Sequence, residues 1–212
     1  MDFILFGIQG SGKGTQGKIL VQKKGYQYFE TGGELRRLAS EDSELGKKVK
    51  SIIEAGNLVP TEVVMEIVGN FVTKVAKPGS PIIFDGIPRN KEQSDQFVKL
   101  LKDMDRTFIG LYFELSREEA EQRLLARRIC KNCKTVYPVT YDKQTCEACD
   151  GELITRNDDK SEAITKRLEI FYQETIPVIE EWKTNYNVIT INAAPPIESV
   201  TEELLEKIKV FA

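Results

Sequence analysis

The chain has 212 residues, of which 41% are hydrophobic and 30% are charged, and its formal net charge is −3. This length and composition predict a substantial core, formed by one domain or by one domain with small insertions. The mildly acidic balance argues against a nucleic-acid binder, and the absence of histidine excludes imidazole from catalysis and metal binding.

Short apolar runs alternate with helical patterns along most of the chain. The runs lack polar alternation, which is typical of strands buried on both faces of a parallel sheet. The predicted strands are residues 3–6, 27–29, 81–84, 107–113 and 188–191. The predicted helices are residues 13–24, 43–55, 62–75, 91–101, 116–128, 161–185 and 196–210. This alternation predicts a doubly wound α/β fold with about five parallel strands flanked by helices.

Two local signals refine the predicted helices. Ser116 followed by Glu119 forms a capping box, which predicts a helix start at residue 116. Pro177 lies inside the pattern of residues 161–185 and predicts a kink there, because proline cannot donate the helical hydrogen bond.

Two segments interrupt the strand–helix alternation. Residues 31–75 are helical without a strong strand, and residues 130–156 have few helix signals and contain all four cysteines. We expect both to be inserts over a core domain made of the remaining three segments, which are residues 1–30, 76–129 and 157–212.

The amino terminus has neither a basic segment nor a long apolar stretch. The longest apolar runs, such as residues 107–113, are too short to span a bilayer. We therefore expect a cytoplasmic protein without a membrane segment. In that compartment cysteines favour metal binding over disulfide formation.

Residues 7–15 read Gly-Ile-Gln-Gly-Ser-Gly-Lys-Gly-Thr and lie between the first predicted strand and the first predicted helix. This is the context of a phosphate loop, in which backbone N–H groups and a helix amino terminus face an anion. Lys13 can reach the β- and γ-phosphates of a nucleotide. One departure from the strict pattern is Gly14, which moves the hydroxyl to Thr15. The candidate ATP-binding residues here are Gly10, Ser11, Gly12, Lys13, Gly14 and Thr15.

A carboxylate and several arginines form a second group of candidates. The third predicted strand ends at Asp85, a position that lies near magnesium in phosphate-loop proteins, and Arg89 follows it in Asp-Gly-Ile-Pro-Arg. Arg123 and Arg127 are four residues apart and share one helix face. Arginine forks fit phosphate oxygens, although any single arginine taken alone is more often a paired surface charge.

The cysteines form two Cys-x-x-Cys pairs, Cys130 with Cys133 and Cys146 with Cys149, separated by 12 residues. This spacing favours a tetrahedral four-cysteine zinc site, with iron or free redox-active thiols as alternatives. Such a site has no open position and is structural. The segment has few apolar residues to bury, so it needs a metal to fold. These apolar residues are Val136, Tyr137, Val139, Tyr141, Leu153 and Ile154.

Taken together, these motifs resemble the adenylate kinase family over essentially the whole chain. The resemblance is carried by five stretches, residues 7–16, 31–36, 55–60, 85–89 and 155–159. It implies reversible phosphoryl transfer from ATP to AMP that yields two ADP, with Mg²⁺ as cofactor. It also implies a helical AMP-binding insert, a lid with structural Zn²⁺ and a monomeric protein. Catalysis in such a protein works by positioning and electrostatic stabilisation while the lid closes.

The resemblance also implies roles for individual residues. The AMP-binding residues are Thr31, Gly32, Arg36, Val59, Gly86, Arg89, Gln93, Arg156 and Arg167. Arg123, Arg127 and Pro195 complete the ATP site, and Asp85 holds magnesium through water. The catalytic residues are Lys13, Arg89, Arg123, Arg127, Arg156 and Arg167.

The sequence departs from the family pattern at a few positions. Gly33 stands where Asp is usual, which puts one lid–core contact in doubt, and Ala193 stands where Gly is usual. The other departures are Gln9 for Pro, Thr61 for Asp and Asn90 for Thr. None of them removes a charge that touches phosphate, so we expect altered affinities with the chemistry retained.

Two other functions fit parts of the sequence. A kinase for UMP, CMP or GMP would share the phosphate loop, but the long cysteine-containing lid and Gln93 favour AMP. A zinc-ribbon protein that binds nucleic acid and uses ATP as a switch would share the cysteines. The acidic composition and the place of the cysteines inside a kinase-like sequence argue against that second alternative.

Overall fold

The computed structural model describes residues 1–77, 79–138 and 140–211. In chain order, its strands are β1 (Asp2–Gly7), β2 (Gln27–Glu30), β3 (Ile82–Asp85), β4 (Phe108–Glu114), β5 (Arg128–Cys130), β6 (Val136–Tyr137), β7 (Leu153–Ile154) and β8 (Val188–Asn192). Its α-helices are α1 (Lys13–Lys24), α2 (Thr31–Ala39), α3 (Glu44–Glu54), α4 (Thr61–Asn70), α5 (Lys91–Asp103), α6 (Arg117–Leu125), α7 (Ser161–Ile170), α8 (Ile176–Asn185) and α9 (Ile197–Ile208). Short π-helical segments at Phe71–Val75 and Phe171–Thr175 extend α4 and join α7 to α8.

The central sheet has five parallel strands in the order β2-β3-β1-β4-β8. The inner strands β1 and β3 are buried along their whole length, whereas the edge strands β2 and β8 are partly exposed. All five predicted strands are present, and the prediction of a doubly wound α/β fold is confirmed. Because the strands are parallel, their carboxyl ends meet at one edge, where β1 continues into the phosphate loop and β3 ends at Asp85.

Aromatic residues fill much of the core on the α5 and α8 side of the sheet. Trp182 is fully buried and meets Phe6 edge-on, with 4.9 Å between ring centroids. Its indole nitrogen donates a 2.7 Å hydrogen bond to Ser94 on α5. The buried indole therefore keeps a polar partner while it fixes α8 against the sheet.

Two regions lie outside this sheet. Helices α2, α3 and α4 occupy the chain between β2 and β3, as the pattern of residues 31–75 predicts. The cysteine segment contributes to a second, antiparallel sheet in the order β6-β5-β7. Within the described part of the chain, no helix is long and apolar enough to cross a bilayer.

One helix boundary needs correction. The helix expected to run to residue 128 ends at Leu125, because Arg128 is already in β5 and pairs with Tyr137 of β6. In the long helical stretch of residues 161–185, the π-helical turn Phe171–Thr175 precedes Pro177. Pro177 has no N–H to donate to this turn, and the wider turn accommodates the missing hydrogen bond.

Candidate active site

The phosphate loop crosses from β1 to α1 at the carboxyl edge of the sheet. Gly10 has φ of 91°, and a Cβ there would come within 2.7 Å of the Ala120 carbonyl oxygen on α6. Gly12 caps α1 with φ of 81°, and a Cβ there would meet no atom within 4 Å. Glycine at position 10 is therefore required by close packing, whereas the open side of position 12 leaves the backbone accessible to a ligand.

Lys13 is the first residue of α1 and lies in the cleft beside this loop. Burial lowers the pKa of Lys13; the nearby Arg89 and Arg127 lower it further, and Asp85 opposes them. In the residues that the structure describes, the buried Ser11 Oγ, two residues before Lys13, has no hydrogen-bond partner. Other residues of the cleft are Gly7, Gln9, Gly86, Pro88, Arg89, Phe171 and Thr175.

Asp85 is buried at the end of β3 and accepts a hydrogen bond from Tyr28. The Tyr28 hydroxyl lies 2.8 Å from Asp85 Oδ2, and burial together with the Asp85 charge raises the pKa of this tyrosine. A Cβ at Gly14 would lie 3.0 Å from the same carboxylate oxygen, which explains the glycine after Lys13. The sequence analysis did not identify Tyr28, because only the pairing of β2 with β3 brings it to Asp85.

Asp159 holds two of the predicted arginines. Arg127 donates to both of its carboxylate oxygens at 2.8 and 2.6 Å, and Arg167 donates to Oδ1 at 2.8 Å. Burial would raise the pKa of Asp159, but Arg127 and Arg167 together lower it. Its place in the stretch 155–159 that resembles the family was the only sequence signal for Asp159, which was not among the predicted site residues.

Arg156 and Arg89 are cations in the buried part of the cluster. Burial, with Arg127 and Arg36 nearby, lowers the pKa of Arg156 to about 10. Its buried Nε has no hydrogen-bond partner among the described residues. Burial also lowers the pKa of Arg89, whose Nε donates to the Gly86 carbonyl at 3.0 Å. At both residues neighbouring arginines add to the effect of burial, and nearby carboxylates oppose it.

Two of the predicted AMP-binding residues, Arg36 and Gln93, are linked to this cluster. Arg36 on α2 donates to Glu30 at 2.7 Å, and the buried Thr31 Oγ1 is another atom without a partner in the described structure. Gln93 is buried on α5, and its Oε1 accepts the backbone N–H of Arg89 at 2.9 Å. Val59 is buried before α4.

Arg123 lies at a different place from the other arginines. Its two terminal nitrogens donate to the carbonyls of Ala193 and Ala194, each at 2.9 Å. This contact ties α6 to the loop after β8, where Pro195 follows directly. Arg123 therefore contacts the loop after β8 and does not join the two arginines that bind Asp159.

The four cysteine sulfurs converge in the small sheet. All four lie within 4.8 Å of one another, and the Cys130–Cys149 and Cys133–Cys146 sulfur pairs are each 3.4 Å apart. Tetrahedral zinc with Zn–S bonds of about 2.3 Å requires sulfurs about 3.8 Å apart, so the cluster fits the ion.

The surroundings of the sulfurs also fit bound thiolates. The N–H groups of Asn132 and Cys133 donate to Cys130 Sγ, and the Tyr137 hydroxyl donates to Cys146 Sγ at 3.1 Å. Such donors are typical of the outer contacts of a metal site. Tyr137 and Leu153 pack near the sulfurs, whereas Val139 lies outside the described residues.

Comparison with known proteins identifies the family of the chain. The family model described as adenylate kinase matches residues 5–187. The adenylate kinase of Thermosipho africanus is 36% identical over 219 aligned positions, covering 99% of this chain and 100% of that protein. Those of Caldicellulosiruptor saccharolyticus and Streptomyces coelicolor are each 36% identical, and each alignment covers 99% of this chain. Coverage of those two proteins is 100% and 99%, respectively. The chain therefore belongs to the adenylate kinase family of nucleoside monophosphate kinases.

Proposed function

We propose that this chain transfers a phosphoryl group reversibly from Mg·ATP to AMP and forms two ADP. The observation that carries the proposal is the group of buried cations beside the phosphate loop, in which burial lowers the pKa values of Lys13, Arg89 and Arg156. Buried cations that lack full compensation are costly. The phosphates of two nucleotides would supply the missing negative charge.

We assign the cations to three groups according to their position in the site. Lys13 and the loop residues Gly10, Ser11, Gly12, Gly14 and Thr15 bind the ATP phosphates, and Arg123 and Pro195 complete that site. Arg36 and Arg89 hold the AMP phosphate, beside Thr31, Gly32, Val59 and Gly86. Arg127, Arg156 and Arg167 enclose the transferring group. Catalysis then needs aligned reactants and fixed positive charge, which suits a chain without histidine.

Asp85 is the residue that would hold magnesium, through water. The hydrogen bond from Tyr28 fixes the orientation of this buried carboxylate. When bound, the ion neutralises charge on the β- and γ-phosphates and helps to align them.

The domain division supports a closing mechanism. Residues 1–30, 76–129 and 157–212 form the core, residues 31–75 form the AMP-binding insert, and residues 130–156 form a lid. Closure brings the arginines around the phosphates and excludes water, so that ATP is not hydrolysed. Zinc bound by the four cysteines keeps the lid rigid. We further propose that the protein acts as a cytoplasmic monomer, which light scattering can test.

Gln93 supports a preference for adenine. Its Oε1 is occupied by the Arg89 backbone N–H, so its amide nitrogen is the end that can donate to a base. Adenine N1 accepts such a hydrogen bond, and so does cytosine N3. The corresponding positions of guanine and uracil carry hydrogen and would oppose the donor.

A coupled ADP-formation assay with ATP and each of AMP, CMP, UMP and GMP tests the function. We expect AMP to give the highest kcat/KM, with CMP next, and we expect chelation of magnesium to abolish turnover. A preference for UMP or GMP would contradict the assignment. Tight nucleic-acid binding without ADP formation would instead favour the zinc-ribbon alternative.

A further inference from the structure

We infer that Glu30 is a positioning residue for AMP, because its carboxylate holds the Arg36 guanidinium where it can receive the AMP phosphate. The inference rests on the proposed function, since it assumes that Arg36 binds this phosphate. It assigns a role to a residue that none of the motifs singled out.

The end of β2 sets the position of Glu30. Glu30 is the last residue of the strand, pairs in register with Asp85 of β3, and is followed directly by α2. Its carboxylate is thus carried to the same edge of the sheet as the phosphate loop. Glu30 Oε1 accepts a 2.7 Å hydrogen bond from Arg36 Nη2, and each side chain is only about one-third exposed.

The contact fixes the Arg36 side chain and leaves other N–H donors of its guanidinium available for a ligand. It uses one terminal nitrogen of the guanidinium, whereas a guanidinium has five N–H donors. Arg36 Nη1 would lie 3.0 Å from a Cβ on Gly32, so the guanidinium lies over the first turn of α2. An arginine fixed beforehand gives up less side-chain freedom when its phosphate ligand arrives.

The charge of Glu30 also acts on the cation cluster. Burial would raise the pKa of Glu30, but Arg36, Lys18 and Arg156 outweigh that effect and lower it. Glu30 is therefore ionised at neutral pH. Arg36 repels the buried Arg156, and the negative charge of Glu30, which interacts with both arginines, counters this repulsion.

Gly33 provides the means of testing this role. A Cβ on Gly33 would lie 3.4 Å from Glu30 Cδ and 3.5 Å from Glu30 Oε2. Position 33 is also where the chain departs from the Thr-Gly-Asp of its family. An aspartate at position 33, in a chain without the Glu30 side chain, would therefore place a carboxylate in the space that Glu30 now occupies.

The experiment compares the wild-type protein with Glu30→Ala, Glu30→Gln, the double variant Glu30→Ala/Gly33→Asp, and the control Glu34→Ala. Glu34 pairs with Arg37 at 3.1 Å on the same helix, so its loss removes an ion pair of α2 outside the cluster. For each protein we would measure KM for AMP, KM for ATP, kcat and Tm. The AMP Kd would be measured by calorimetry without ATP.

We expect Glu30→Ala to raise both KM and Kd for AMP about tenfold, as the loss of one charged contact implies. KM for ATP should stay within about twofold of wild type. Glu30→Gln should show a smaller effect of the same sign, and the double variant should recover most of the loss. Glu34→Ala should resemble wild type.

Unchanged or tighter AMP binding in both Glu30 variants would overturn the inference. So would equal losses for AMP and ATP, or a folded double variant that recovers nothing. If the wild type itself formed no ADP from AMP, the proposed function would fail and the inference with it. An active wild type with an indifferent Glu30 would refute the inference alone.

Discussion

At the scale of single residues, the site contains buried cations, and nearby carboxylates offset only part of the cost of burying their charge. Lys13 illustrates the point, because burial and two neighbouring arginines lower its pKa while Asp85 opposes them. A cation in such surroundings contributes little to the fold and much to binding a polyanion. Removing the charge of Lys13 should therefore impair function and leave stability nearly unchanged.

Lys13→Met should lower kcat by about 10²–10³, the usual effect of losing one preorganised charged contact. The fold should not need this charge, so Tm should stay near that of the wild type. ADP formation and thermal melting measure the two effects in one preparation. Near-normal turnover in a folded variant would refute the role of Lys13.

Replacing Arg36 and replacing Arg127 should cause different kinetic defects. Arg36→Ala should raise KM for AMP at least about tenfold with a smaller change in kcat, because its contact with AMP is made in the ground state. Arg127→Ala should lower kcat by about 10²–10³, because a clamp on the transferring group acts in the transition state. Asp159 keeps its contact with Arg167 in that variant, so the fold should survive. Two variants that shared only an ATP-affinity defect would disprove this division.

At the scale of elements, the cysteine sheet stands apart from the rest of the chain. Its three strands are two or three residues long, and few buried apolar side chains accompany the sulfurs. Strands this short do not form a stable unit on their own. A metal bound by the four thiolates would convert binding free energy into folding free energy.

We therefore expect about one zinc per chain by elemental analysis, given four ligands in tetrahedral geometry. Cys130→Ser combined with Cys133→Ser should lower Tm and weaken ATP binding. Some turnover should persist at low temperature, since no thiol touches a reacting atom. Protein purified without chelator that contained no metal, or a double variant with unchanged Tm, would argue against a metal-stabilised lid.

At the scale of the whole molecule, positive charge is concentrated in the cluster around Arg156, although the chain carries a net charge of −3. Burial, Arg127 and Arg36 lower the pKa of Arg156 to about 10, so the folded state holds this proton less tightly than the unfolded chain does. The resulting destabilisation is fully present at neutral pH and is relieved only as the pH rises through about 10. A bound polyanion should relieve it at neutral pH.

ATP at about 100 times its Kd should raise Tm by about 5–10 °C, whereas adenosine at the same concentration should change it little. The matched variant Arg156→Met should melt higher than wild type without nucleotide and gain less from ATP. Thermal melts at neutral pH give all of these values. Equal stabilisation by adenosine and ATP would contradict a charge-driven site.

The sequence by itself determined the strands, the phosphate loop and the cysteine pairs. Each of these features is a pattern of residues close together in the chain. The strands are apolar runs without polar alternation, the phosphate loop has glycines at fixed spacing before Lys13, and the cysteines form two Cys-x-x-Cys pairs. Their physics is local, because it depends on backbone freedom at glycine, on burial of a short run, or on ligand spacing.

The tertiary structure alone decided which charges meet. Tyr28 reaches Asp85 because β2 pairs with β3, and Arg127 shares Asp159 with an arginine of α7. The end of α6 at Leu125 was likewise decided by the pairing of β5 with its neighbours rather than by helix propensity. Such partners are distant in the chain, and only strand register and helix packing bring them within the few ångströms at which hydrogen bonds and ion pairs act.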